Sequence, residues 1–159
     1  MDLTDRLLEH DAWLTSRLLC AAERLPSAAL EGPLPGSEET LGSMLERLVW
    51  TKEMWTAAVA GRPAPERRTD PPARLRARLA EAGSAFIEMV DDVRARGAWD
   101  TAFVDATCDP PESFTLGGMV SHVVEWTAHR RRLVVDALES RGVEVAGADP
   151  LEWERSLHN

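Results

Sequence analysis

The densest run of chemistry-bearing residues is His122-Val-Val-Glu125-Trp126-Thr-Ala-His129-Arg130. Glu125 and His129 stand four apart, so a helix puts them on one face about one turn from each other. That spacing lets one helix offer two ligands to a metal ion, or lets a carboxylate orient an imidazole for acid–base work. His122 and His129 are seven residues apart, which is ~10.5 Å along a helix axis. Ligand atoms must each lie ~2 Å from a shared ion, so these two histidines do not hold the same one. A metal at Glu125 and His129 needs a third ligand from another helix. The plainer alternative is a polar carboxylate beside a hydrogen-bonded histidine. His10 falls between Leu7 and Leu14 on an apolar face, where a histidine is either satisfied in a core or lines a pocket. Arg130-Arg131-Arg132 has the spacing of a phosphate cluster, but Asp136 and Glu139 nearby favour a solvated face. The six tryptophans are expected mostly in the core, with one or two walling a cavity. There is no Gly-rich phosphate loop, nucleophile elbow or Cys–His signature.

Four long segments with a helical period must position these groups. In the first, Leu3, Leu7, His10, Leu14, Leu18, Ala21 and Leu25 recur at three- and four-residue steps until Pro26. The second spans about 40–60, with Leu41, Leu45, Leu48, Lys52, Trp55 and Val59 in register, Thr40 as cap and Gly61 as stop. The third opens at Asp70-Pro71 and carries Leu75, Leu79, Ala82, Phe86, Met89 and Val93 up to Gly97. The fourth follows Thr115, through Met119, Val123, Trp126 or Thr127, Leu133 or Val134, and Leu138 to Gly142. A last short turn is expected after Asp149-Pro150. Residues 26–39, 61–72 and 98–114 read as loops. The pattern is that of an all-α four-helix bundle, one domain over 1–159. The 61–72 connection can span about 36 Å at ~3.3 Å per residue, more than the ~30 Å of a 20-residue helix. The second and third helices can therefore run parallel. Residues 40–49 and 115–124 also align, sharing Thr, Leu, Gly, Met and Val. Similar helix starts explain this, or a duplicated helical hairpin with the second and fourth helices facing each other.

Composition narrows the class. The 159 residues are 44% apolar and 28% charged, an ordinary globular balance. Net charge is −9, which argues against nucleic acid, since phosphate binding needs a basic footprint. Apolar runs fall far short of the ~18 residues of a membrane span. Met1-Asp2-Leu3-Thr4-Asp5 has no basic or apolar leader region, so no secretory signal is expected. Cys20 and Cys108 have no disulfide or zinc spacing, which fits a reducing cytoplasm. Lys52 is the only lysine among 18 basic residues. The Arg- and Ala-rich usage points to a GC-rich bacterial genome. Tyrosine is absent, which removes phenolic acid–base chemistry.

Three stretches in order resemble the DinB/YfiT-like superfamily. His10-Asp-Ala-Trp13-Leu-Thr-Ser-Arg17-Leu-Leu resembles its opening helix. Thr40-Leu41-Gly-Ser-Met-Leu45-Glu-Arg47-Leu48-Val-Trp, with Trp55 and Gly61, resembles its second. Val123-Val-Glu125-Trp-Thr-Ala-His129-Arg130, through Leu138 and Gly142-Val143, resembles its last, which usually reads His-x-x-x-His-Arg-Gly-Gln. The resemblance covers nearly the whole chain. It implies a four-helix bundle in up-down-down-up order, often a homodimer. It also implies a zinc or nickel site with three helix-borne ligands. Relatives of this kind include S-transferases that use low-molecular-weight thiols such as mycothiol or bacillithiol, and a mycothiol-dependent maleylpyruvate isomerase.

Carried over position by position, His129 matches the last ligand, and Glu125 stands at the preceding one, where glutamate also occurs. Arg47 stands where the second helix supplies its histidine, and a guanidinium has no lone pair to offer. Arg131-Arg132 replaces the usual Gly-Gln. The expectation is an altered, metal-free site for a small molecule, lined by His10, Trp13, Arg47, His122 and Trp126. His129 and Glu125 are its candidate catalytic pair, on a transferase-like or isomerase-like enzyme. In place of the metal, Arg47 is expected to pair with Glu125 as a buried, charge-matched couple. One alternative is a zinc- or nickel-dependent S-transferase or hydrolase using Glu125, His129 and His10. The other is a non-enzymatic, stress-related binding protein.

Overall fold

The computed structural model describes residues 1–158. Four long helices form the bundle: α1 (Leu3–Ala22), α3 (Leu41–Val59), α4 (Pro72–Ala95) and α5 (Leu116–Glu139). Two short helices, α2 (Ser27–Leu30) and α6 (Pro150–Ser156), lie in the first connection and the tail. A hairpin of β1 (Ala102–Asp105) and β2 (Glu112–Thr115) precedes α5. None of the described helices is long and apolar enough to cross a membrane.

Side-chain pairs fix the helix directions. Arg94, near the end of α4, binds Asp2 and Asp5 at the start of α1 at 2.6 and 2.7 Å. Arg76, near the start of α4, binds Glu23 just past α1 at 2.9 Å, so α1 and α4 are antiparallel. Arg78 of α4 binds Glu53 of α3 at 2.6 Å, and further along both helices Ala58 packs with Phe86 and Val90. These two therefore run parallel, using the long connection between them. Trp55 meets His122 and Thr51 meets Arg130, so α3 and α5 are antiparallel neighbours. The order is up-down-down-up.

The cap expected at Thr40 forms: its hydroxyl accepts from Ser43 N at 3.1 Å. Thr115 does the same for Gly118 N at 3.0 Å. Leu41 and Leu116 then bury at matching positions, as do Met44 and Met119. The two repeat copies are thus equivalent helix starts on facing helices.

Four local expectations are corrected. The first helix ends at Ala22, four residues before Pro26, which instead caps α2. Asp70 does not cap α4; Pro71 holds the cap position, and the Asp70 carboxylate binds Arg78 at 2.9 Å. The 98–114 loop contains the β1–β2 hairpin. Its strands are only four residues each and make no readable alternation; cross-strand Phe103 and Phe114 both meet the edge of Trp55. Of the six tryptophans only Trp55 and Trp153 are buried, while Trp126 is exposed.

The core is split. One apolar cluster holds Leu14, Leu18, Leu45, Leu48, Leu75 and Leu138 at one end. The other holds Leu8, Trp55, Phe86, Val90, Met119 and Val123. Each such side chain contributes ~1.5–3 kcal/mol on burial. Between the clusters, α1 supplies Asp11, α3 Lys52 and α5 Thr127 and Arg131, so a polar layer crosses the middle of the bundle.

Candidate functional site

That layer is fully internal. Asp11, Lys52, Thr127 and Arg131 are 4%, 3%, 0% and 6% exposed. Lys52 Nζ lies 2.7 Å from Asp11 Oδ2 as an ion pair and has no hydrogen-bond partner among the described residues. Arg131 Nη1 pairs with Asp11 Oδ1, while its buried Nε has no partner. The Thr127 hydroxyl sits 2.9 Å from Asp11 Oδ1 and 2.7 Å from the Val123 carbonyl, and its single proton serves one of them. The Thr15 hydroxyl donates to the Asp11 carbonyl at 2.7 Å. Two cations therefore share one carboxylate. Burial pushes Lys52 down to about 8 and Arg131 down to about 10, because low dielectric penalises the charged form.

Beside this layer, between α1 and α5, lies a cavity of about 270 Å³. Leu7 and Leu14 wall it from α1, and Val124 and Val135 from α5; Ala148 and Pro150 of the tail roof it. Its polar lining is His10, Arg131 and Arg132. His10 Nε2 is 3.2 Å from the Gly147 carbonyl, so that nitrogen donates and Nδ1 is left as an acceptor in the neutral ring. Burial lowers the His10 pKa and the Arg131 charge adds to this; the Gly147 hydrogen bond and Asp149 oppose it. The ring stacks on Trp13 at 6.3 Å and meets Trp153 at 5.5 Å.

The tail is held over the cavity by specific contacts. Gly147 N donates to Glu152 Oε2 at 2.9 Å, and the Asp149 carboxylate caps α6 by accepting from Leu151 N at 2.8 Å. Gly147 has φ +83°, and a Cβ there would fall 2.2 Å from the Trp13 ring. Both facts demand glycine at this position.

The other face of α5 is open. His122, Glu125, Trp126 and His129 are all exposed. Glu125 lies two residues from buried Val123 and two from buried Thr127; two residues turn a helix by about 200°, which aims Glu125 away from the core. His129 meets the edge of Trp126 at 5.7 Å, and Trp126 lies 6.1 Å from His122. Partial desolvation lowers the His122 pKa; Arg130 adds to that and Glu125 opposes it. Arg130 crosses the α3–α5 seam, donating from Nη1 to the Thr51 hydroxyl at 3.2 Å and resting over the Trp126 ring at 5.7 Å.

The expected Arg47–Glu125 pair does not form. Arg47 binds Glu39, in the connection before α3, and each of the two side chains is 28% exposed. The residues expected to line one pocket are divided: His10 and Trp13 lie by the α1–α5 cavity, while Arg47, His122, Trp126 and His129 are on the α3–α5 side or the outer face. His10, Glu125 and His129 are not brought together, and no group of three His, Cys, Asp or Glu that would hold a metal occurs among the described residues. Sequence reasoning missed the layer itself. Its signal was Lys52, a lone lysine in register with Leu48 and Trp55 on a buried stripe. Arg131, read as part of a solvated run, is buried; only Arg132 of the three is exposed.

The bundle and its direction order define an all-α four-helix protein. A family model described as the DinB superfamily matches residues 11–134, and the chain belongs to that superfamily. No curated protein and no solved structure matches the chain. The matched span includes all four residues of the polar layer and stops short of His10 and the tail that roofs the cavity.

The metal implied by the resemblance does not fit the donor set. At the position of the second-helix ligand stands Arg47, permanently cationic and engaged by Glu39. Glu125 and His129 alone offer two ligands on an exposed face, short of the three that a stable protein-held zinc requires.

Proposed function

We propose that this chain is a metal-independent, small-molecule-binding member of the DinB superfamily, with its ligand in the cavity between α1 and α5. One observation carries this reading: a partly open cavity of about 270 Å³ with apolar walls, a few converging polar groups and a roof from the tail. Ligand sites have that character, and helix bundles place them between helices. The exposed Glu125–His129 pair takes no part in it.

The test joins a ligand screen with elemental analysis. Thermal-shift screening of small apolar and amphipathic compounds is expected to yield stabilising hits. Ala128→Trp, which fills the cavity mouth from an exposed helix position, is expected to abolish them. Hits that survive Ala128→Trp overturn the location. Stoichiometric zinc or nickel in purified protein, lost in His129→Ala, overturns metal independence.

A further inference from the structure

Resting on that reading, we infer that the cavity takes a small ligand with an apolar body and a single carboxylate, and that Arg131 receives the carboxylate. The walls select the body. Leu7, Leu14, Val124 and Val135 offer no hydrogen bonds, so a polar chain would lose its hydration without replacement. The buried layer selects the head. Lys52 and Arg131 carry two positive charges against the single negative charge of Asp11. Arg131 lines the cavity while its Nη1 is spent on Asp11 and its Nε is sealed away from the open space. Two buried cations on one carboxylate leave the layer net positive, and a carboxylate arriving at Arg131 from the cavity balances it. A planar guanidinium is also the side chain that matches a carboxylate geometrically.

Among the described residues, the acids of the roof are engaged elsewhere. Asp149, on the roof, exerts a charge effect on His10 without a hydrogen bond to it and is occupied capping α6. Glu152 is held by Gly147 N. His10 stands across the cavity with Nδ1 unused by the protein, so it offers a second contact to the head group. Arg132 reaches the rim but is exposed, where a charge contact is screened.

The experiment compares octanoate with 1-octanol, which share a chain and differ in the head. By titration calorimetry, octanoate is expected to bind about ten- to hundredfold more tightly than octanol, the worth of a hydrogen bond to a charged group. Arg131→Met leaves Asp11 balanced by Lys52 and is expected to erase the preference while keeping octanol binding. Arg96→Ala, which removes an exposed charge outside the cavity lining, is expected to keep it. On the unmodified protein, which requires no variant to fold, NMR titration is expected to show the His10 pKa rising when octanoate is bound. Equal affinity for the two ligands overturns the head-group inference and leaves the cavity reading standing. Binding of neither overturns both. A preference that survives Arg131→Met, or a His10 pKa unmoved by octanoate, overturns the assignment of the carboxylate to Arg131.

Discussion

Two faces of α5, separated by half a helix turn, handle charge in opposite ways. On the outer face His122, Glu125, Trp126 and His129 are exposed, and Glu125 and His129 make no ion pair among the described residues. On the inner face Thr127 and Arg131 join Asp11 and Lys52 in a layer sealed between two apolar clusters. Water screens the first set, so each side chain there is nearly independent of its neighbours. The second set is coupled, because removing one partner leaves a buried charge uncompensated. Residue type alone does not tell these faces apart: arginine and threonine are inside, while histidine and tryptophan are outside.

The largest break in this comparison should come from Asp11→Asn. It removes the one anion from a layer holding two cations, and is expected to cost about 3–5 kcal/mol of unfolding free energy in urea. A cost below about 1 kcal/mol would show that the layer is hydrated after all. Gly147→Ala tests the roof. With φ +83° and a Cβ landing 2.2 Å from Trp13, it is expected to destabilise by about 1–3 kcal/mol. It should also speed hydrogen exchange in α6, and unchanged exchange there would mean the tail is not held by this contact.

Lys52→Met separates the two cations. Lys52 has a folded pKa of about 8 against an ordinary 10.5. Between those values the unfolded chain binds more protons, so wild-type stability should rise with pH across that window, by at most about 1.4 kcal/mol per pH unit. Below about pH 8 the full cost of burying the charged amine is present. Asp11 and Arg131 are the charged groups packed around it, and Arg131, pushed down to about 10, keeps its charge only in the window's lower part. Lys52→Met is expected to remove the rise below about pH 9, leaving above it only the part due to Arg131, and to cost under about 1 kcal/mol at pH 7, since Arg131 still balances Asp11. A variant that retains the slope would place its origin elsewhere.

The outer set should respond least. Arg47→Ala breaks only a partly exposed pair with Glu39 and is expected to cost under about 1 kcal/mol. A loss of several kcal/mol, as a buried couple with Glu125 would give, would contradict the observed partner. His129→Ala is expected to change stability by no more than about 0.5 kcal/mol.

Much of the architecture was legible in the sequence because helix periodicity is a local property. The stripes from Leu41 to Val59 and from Leu75 to Val93, the Thr40 cap, the short turn after Asp149-Pro150 and the proline-containing connections all act within a few residues of themselves. The motif order in the opening, second and last helices carried the family for the same reason. The hairpin at 102–115 escaped, because strands of four residues hold together only once Phe103 and Phe114 rest on Trp55, more than 40 residues away in the chain.

The site divides along the same line. The sequence determined which residues share a helix face, and so the spacing of Glu125 and His129 and the inward register of His10 and Lys52. Only the tertiary structure decided which faces meet. It turned Arg47 toward Glu39 and sent Glu125 to solvent. It also joined Asp11, Lys52 and Arg131 from three helices into one buried layer beside a cavity. Helix rotation and pairing are set by the summed packing of whole faces, and no single residue's type or spacing contains that sum.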